Sequence, residues 1–187
     1  LSAWRIPDLM TWLPALRRPF TLLAVAAAWG CEPVEVVREY FRDPTPHEAY
    51  ALNLGNAGLL QTALGRDWTQ AGREALLHPL PMDAPYQEEG YFPVEEAAAL
   101  GYRFPLRRGH RVRIGVEVTS PEPARVFVDL YRAAPDTTRL PVPVLAGEAG
   151  TEMVFEPRRS GDYSLRVQPQ LLRGGHFRVT VLKDPSL

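Results

Sequence analysis

The residues best equipped for metal or acid–base chemistry are the four histidines, His47, His78, His110 and His176. His47 is followed by Glu48, but the H-E-x-x-H zinc motif needs a second histidine one helical turn later, and position 51 is alanine. Glu48 has a simpler role: Thr45-Pro46-His47-Glu48 places a hydroxyl at an N-cap, proline at the first helical position and a carboxylate three residues after the cap. His78 closes a helical stretch, where the dipole favours a cation. Serine, histidine and aspartate all occur, yet no G-x-S-x-G elbow presents a nucleophile. Gly147-Glu148-Ala149-Gly150 lacks the length and the lysine of a phosphate loop and reads as a turn. Asp83, Glu88-Glu89 and Glu95-Glu96 are a carboxylate set of the kind calcium or sugar chemistry uses, although adjacent charges in loops are ordinarily solvated. The arginines are the stronger candidate. Arg103, Arg107, Arg108, Arg111 and Arg113 crowd one predicted hairpin, while Lys183 is the sole lysine. Arg111 and Arg113 share one face of an alternating strand, and Arg103 on the neighbouring strand is expected to join them. Such a patch would take an anionic ligand through bidentate contacts. The competing reading is a solvated face balanced by Glu117 and Asp129.

The elements that must position these residues divide the chain in three. Within 187 residues, 45% hydrophobic and 23% charged, there is room for one ordinary domain and a small one, and disorder is excluded. The balance of 21 basic and 22 acidic residues lacks the cationic excess of a general nucleic-acid binder, so no nucleic-acid partner is expected. One cysteine excludes a disulfide framework and any multi-thiolate metal site, and 19 prolines suit a loop-rich β fold. Residues 1–31 read as an export signal: Arg17-Arg18, then the uncharged run Pro19–Gly30, then Cys31. That run is too short for a comfortable transmembrane helix, which needs about 20 residues.

Residues 32–79 read as a helical hairpin. Val34, Val36, Val37, Tyr40 and Phe41 recur at near-helical spacing up to Pro44; a second helix opens at Thr45 and runs to a stop at Gly65; a third begins at Asp67 or Thr69 and ends before Pro79. From residue 80 to 187 the period changes to two, with Tyr102, Phe104 and Leu106, then Val112, Ile114, Val116 and Val118, predicted as a hairpin across a turn at Arg107–Gly109. Further alternations run through Val126–Tyr131, Val142 and Val144, Met153 and Phe155, Tyr163–Val167 and Phe177–Val181. Seven or eight short strands make the fold class α+β: a helical hairpin followed by an antiparallel, jelly-roll-like β-sandwich. Phe127 and Tyr131 lie opposite the apolar row, where they would form a carbohydrate platform or a seat for the helices.

Three resemblances bear on function. Gly30-Cys31 after an apolar run resembles the acceptor of bacterial lipoproteins, making Cys31 the candidate lipidation site; Ala26-Ala27-Ala28 is a competing site that would release an unlipidated protein. The order GYRFPLRRGHRVRIGVEV, ARVFVDLYR, MVFEPRRSGDYSLRVQP and GGHFRVTVL, over roughly residues 100–182, resembles the bacterial pre-peptidase C-terminal domain family. The longer string Leu59–Leu182, with ALGRDW, GYFPVEEAAALGYRF and SPEPARVFVDLY, resembles the non-catalytic N-terminal region of envelope proteins that end in a lysostaphin/LytM-type zinc murein endopeptidase domain. The family's H-x-x-x-D and H-x-H zinc motifs are absent here, since none of the four histidines has either spacing. What this resemblance implies is an exported periplasmic or envelope protein with peptidoglycan or envelope proteins as partners, and membrane attachment through a signal or lipid anchor. It also implies no cofactor in this chain and a zinc-bearing catalytic domain downstream of Leu187. A free-standing secreted or lipid-anchored glycan- or protein-binding module is the alternative.

Overall fold

Nine strands and two helices make up the described part of the chain, residues 42–133 and 143–185 of a computed structural model. Helix α1 (Pro46–Asn56) opens as its sequence demands: Glu48 N–H donates to Thr45 Oγ1 (3.2 Å), and Thr45 N–H donates to the Glu48 carboxylate (2.8 Å). It ends nine residues before the expected stop at Gly65. The chain turns left-handed at Gly58 (φ 70°), passes through a short 3-10 turn (Leu59–Gln61), and restarts as α2 (Ala63–Leu77), with Thr62 Oγ1 accepting from Gly65 N–H (3.1 Å). Gly65 is therefore buried in the first turn of the next helix. The candidate helix from Val34 to Phe41 lies outside the described residues, as do the Pro19–Gly30 run, Cys31 and Val142. No described helix is long and apolar enough to cross a membrane.

Strands β1 (Leu80–Pro81), β3 (Leu100–Leu106), β8 (Gly161–Pro169), β5 (Val126–Arg132) and β6 (Pro143–Glu148) form one sheet in that order. Strands β2 (Tyr86–Phe92), β9 (Gly175–Pro185), β4 (His110–Thr119) and β7 (Met153–Phe155) form the other. Every pairing is antiparallel except β1 with β3. The expected hairpin of β3 and β4 does not form. β3 pairs with β8 and β4 with β9, so the Arg107–Gly109 turn carries the chain from one sheet to the other. Two apolar rows can meet side by side or face to face, and here they face each other: Tyr102, Phe104 and Leu106 oppose Val112, Ile114 and Val116 across a core shared with Val128, Leu130, Leu165, Val179 and Val181.

The five-stranded sheet is buried on its second face too, which is why every residue of β5 from Val126 to Tyr131 is inaccessible. Both helices lie there, α2 over β3 and β8, α1 over β5 and β6. Their close approach depends on two glycines. A Cβ at Gly101 of β3 would fall on the Ala75 carbonyl of α2, and one at Gly72 of α2 would fall on the Gln168 amide of β8.

Candidate functional site

The helix-covered face holds a buried polar network. His47 stacks on Trp68 (4.8 Å between centroids) and meets the edge of Phe127 (5.5 Å). Its Nε2 lies 2.8 Å from Gln168 Oε1, a carbonyl-type acceptor, so Nε2 carries the proton. Gln168 Nε2 donates in turn to the Trp68 carbonyl (2.7 Å), and Trp68 Nε1 donates to the Pro169 carbonyl (2.9 Å). Burial, with Arg166 adding to it, pushes the His47 pKa down to about 4, against smaller opposing effects of Gln168 and Glu48. Beside this cluster Arg166 Nη2 donates to Asp129 Oδ2 (2.7 Å) with both side chains buried, and the guanidinium lies 5.2 Å from the centre of the Tyr131 ring. Burial raises the Asp129 pKa, and Arg166 partly offsets that rise. Phe127 and Tyr131 thus seat helices and a buried arginine instead of forming a carbohydrate platform. His47, Trp68 and Gln168 bond across from helix to strand, so this part of the network fixes the helices to the sheet, while Asp129 Oδ1 and Arg166 Nε are buried without a hydrogen-bond partner among the described residues.

The outer face of the four-stranded sheet carries the opposite arrangement. Alternation sends Arg111, Arg113, Gly115 and Glu117 of β4 outward, opposite Asp184, Leu182, Thr180 and Arg178 of β9. β2 continues the rows with Gln87 beside Thr180, Glu89 beside Arg178 and Tyr91 beside His176. Arg178 bridges two acids, donating from Nε to Glu89 (2.7 Å) and from Nη1 to Glu117 (3.3 Å). Arg113 donates from Nε to Asp184 (2.9 Å), and Arg111 from Nε to Glu156 (2.9 Å). The Tyr91 and His176 rings are 5.0 Å apart at one end of this ladder, with Tyr91 55% exposed. Exposed pairs of this kind contribute only about 0–1 kcal/mol each to stability. Their effect is to hold guanidinium and carboxylate edges in fixed positions on an open surface.

This arrangement corrects the expected anionic-ligand patch. Arg111 and Arg113 do share a face, but Arg103 belongs to the other sheet, where it pairs with Asp162 (2.7 Å). The arginines of the open face are matched or outnumbered by Glu89, Glu117, Glu156 and Asp184, so the face has no cationic excess. Neither does the acidic set converge. Glu89 points outward to Arg178, while Glu88 accepts from the hydroxyls of Tyr86 (2.6 Å) and Tyr102 (2.9 Å); the bond raises the Tyr86 pKa to about 12, and at Tyr102 burial raises the pKa with Glu88 adding to it. The four histidines lie on separate elements: His47 in α1, His78 at the end of α2 beside Glu74, His110 at the start of β4, and His176 on the open face of β9. These residues do not fit a zinc site, and no metal-holding group of three appears among the described residues. Sequence reasoning missed Arg166 and Gln168, because polar residues alternating with Leu165 and Val167 read as solvent-facing. The only available hint was that Phe127 and Tyr131 sit in phase with Asp129.

Searches against protein-family models and curated proteins give no match. Among solved structures the chain is similar to the pre-peptidase C-terminal domain of a collagenase from Bacillus anthracis, at 15% identity over 56% of this chain and 94% of that one, with a TM-score of 0.44. It is also similar to the Yersinia pseudotuberculosis-derived mitogen (10% identity, 52% and 83% covered, TM-score 0.43). A third is PliG of Aeromonas hydrophila, a periplasmic lysozyme inhibitor of g-type lysozyme (11% identity, 54% and 95% covered, TM-score 0.38).

Proposed function

We propose that this chain is a non-catalytic targeting or regulatory region of a cell-envelope zinc metallopeptidase acting on peptidoglycan, with the zinc held in a domain beyond Leu187. The observation that supports a binding role is the unequal treatment of the two outer sheet faces. One is sealed by helices over a buried polar network; the other is covered by none of the described residues and carries charged side chains paired in a ladder. An open, rigid, mixed-charge face suits a polar polymer, because its donors and acceptors are oriented before the ligand arrives. The link to a peptidase rests on the sequence resemblance over Leu59–Leu182. Export rests on the signal-like order of Arg17-Arg18, the apolar run and Cys31.

Co-sedimentation with purified peptidoglycan sacculi tests this reading. The full chain is expected in the pellet, and the double substitution Arg111→Glu/Arg113→Glu, which sets like charges against Glu156 and Asp184, is expected to shift it to the supernatant. A wild-type chain that stays in solution refutes the targeting role. A chain that pellets without ever altering the activity of a joined peptidase domain favours the free-standing binding module.

A further inference from the structure

We propose that the hollow over Gly115 on the open face seats a short neutral oligosaccharide, so that the glycan strand, and not the anionic peptide stem, is the part of the wall polymer recognised. This rests on the peptidoglycan-targeting reading above and names the ligand of that face. The hollow exists because β7 is short. It pairs with β4 only over Val112–Ile114; beyond that register the ladder stops, and the turn at Gly150–Glu152 is held to β4 by Gly150 N–H donating to the Val116 carbonyl (2.8 Å). The cleft left between turn and sheet is ≈ 390 Å³, within the ~300–1,000 Å³ that small-ligand sites occupy.

Gly115 itself is the strongest indication. A glycine in mid-strand weakens the strand by roughly 0.5–1 kcal/mol relative to alanine, so its presence needs a reason. At Gly101 and Gly72 the reason is crowding. At Gly115 neither usual reason applies: φ is not positive, and a Cβ built there meets nothing within 4 Å. What the missing side chain does is keep the floor of the cleft clear, as strand glycines do where a ligand approaches the backbone.

The lining has unspent polar capacity of both kinds. The Thr151 and Thr180 hydroxyls and the Glu152 carboxylate have no hydrogen-bond partner among the described residues. Arg113 commits Nε and Nη2 to Asp184 and keeps Nη1; Glu117 commits one oxygen to Arg178 and keeps the other. Leu182 supplies an apolar surface beside them. The lining itself sets Arg113 against Glu117 and Glu152, a negative excess that disfavours a carboxylate-bearing peptide. Sugar hydroxyls fit, since each donates to a carboxylate and accepts from a guanidinium or threonine at the same atom.

Titration calorimetry of the full chain with N-acetylchitotetraose, a neutral chain of N-acetylhexosamines, tests the assignment, with a free stem tetrapeptide as competitor and sacculi co-sedimentation in parallel. The expected result is binding that the tetrapeptide does not displace, weakened at least about tenfold by Gly115→Val. That variant should melt no lower than wild type, because a β-branched residue strengthens a strand where there is room for it. Thr180→Val, which removes one hydroxyl without filling the cleft, is expected to weaken binding severalfold. Sacculi binding without chitotetraose binding, or equal binding by wild type and Gly115→Val, overturns the glycan seat and leaves the targeting role standing. Failure to bind sacculi and chitotetraose alike removes both.

Discussion

Replacing His47 by phenylalanine should flatten the acid sensitivity of the fold. The neutral ring is clamped between Trp68 and Gln168, and its pKa falls from 6.5 to about 4. Because the folded value lies below the unfolded one, the unfolded chain binds the extra proton first as pH falls, and stability declines through the window between the two. Above about pH 6.5 both states are neutral and nothing is lost. At about 1.4 kcal/mol per pH unit, the loss reaches roughly 2.5 kcal/mol near pH 4.5 and levels off near 3.5 kcal/mol once the folded form also protonates. Asp129 acts in the opposite sense: its raised value means that the folded state binds the proton first, so acid restores some stability just above the ordinary carboxylate range. That contribution is common to both proteins and cancels in their difference. At about pH 7.5, His47→Phe should cost roughly 1–3 kcal/mol by leaving Gln168 Oε1 unpaired. Urea unfolding followed by far-ultraviolet circular dichroism measures both free energies. The gap should narrow by roughly 2.5 kcal/mol between pH 7.5 and pH 4.5; a gap that stays constant to within about 0.5 kcal/mol would refute a proton-excluding pocket.

Three further expectations follow from the same packing. Gly101→Ala should destabilise by about 1–3 kcal/mol in thermal melts, since its Cβ meets the Ala75 carbonyl of α2, whereas Gly115→Ala should be neutral or slightly stabilising. Asp129→Asn and Arg166→Met should each cost about 3–5 kcal/mol, while the double variant should recover most of that loss in a double-mutant cycle, because the larger penalty comes from stranding one buried charge. Arg103→Ala, which breaks an exposed pair with Asp162, should change the melting free energy by no more than about 1 kcal/mol.

What could be read from the sequence was whatever depends on near neighbours. The capping box at Thr45–Glu48 and the alternation of β4, β5, β8 and β9 are written in residues two to four positions apart. Alternation says which side of a strand is apolar but not which strand lies beside it, so β3 and β4 looked like partners when they belong to different sheets. The helix break at Gly58 was masked because Leu54, Ala57, Leu60 and Ala63 carry the helical period straight across Gly55, Asn56 and Gly58, the residues that signal a stop. Arg166 and Gln168 escaped notice because burial of a polar strand face is imposed by helices encoded about a hundred residues earlier. The cleft at Gly115 depends on where β7 stops pairing, and a lone glycine in an alternating strand carries no hint of that.

The pairing of β2 with β9 governs how the chain can be made. Tyr86 aligns with Val181, so one of the first strands synthesised waits for the last before its sheet has an interior strand. Loop closure of that length comes before any reward from contact, which places the fold among slow, high-contact-order topologies. During synthesis on the ribosome, β2 and β4 would remain without their common partner until β9 emerges, leaving two apolar strand faces exposed to chaperones and proteases. Helix α1 and α2 are complete long before then, but the β8 residues that anchor them are also late. The β-sandwich should therefore become protease-resistant in one step once β9 has emerged, and not gradually as each strand is added.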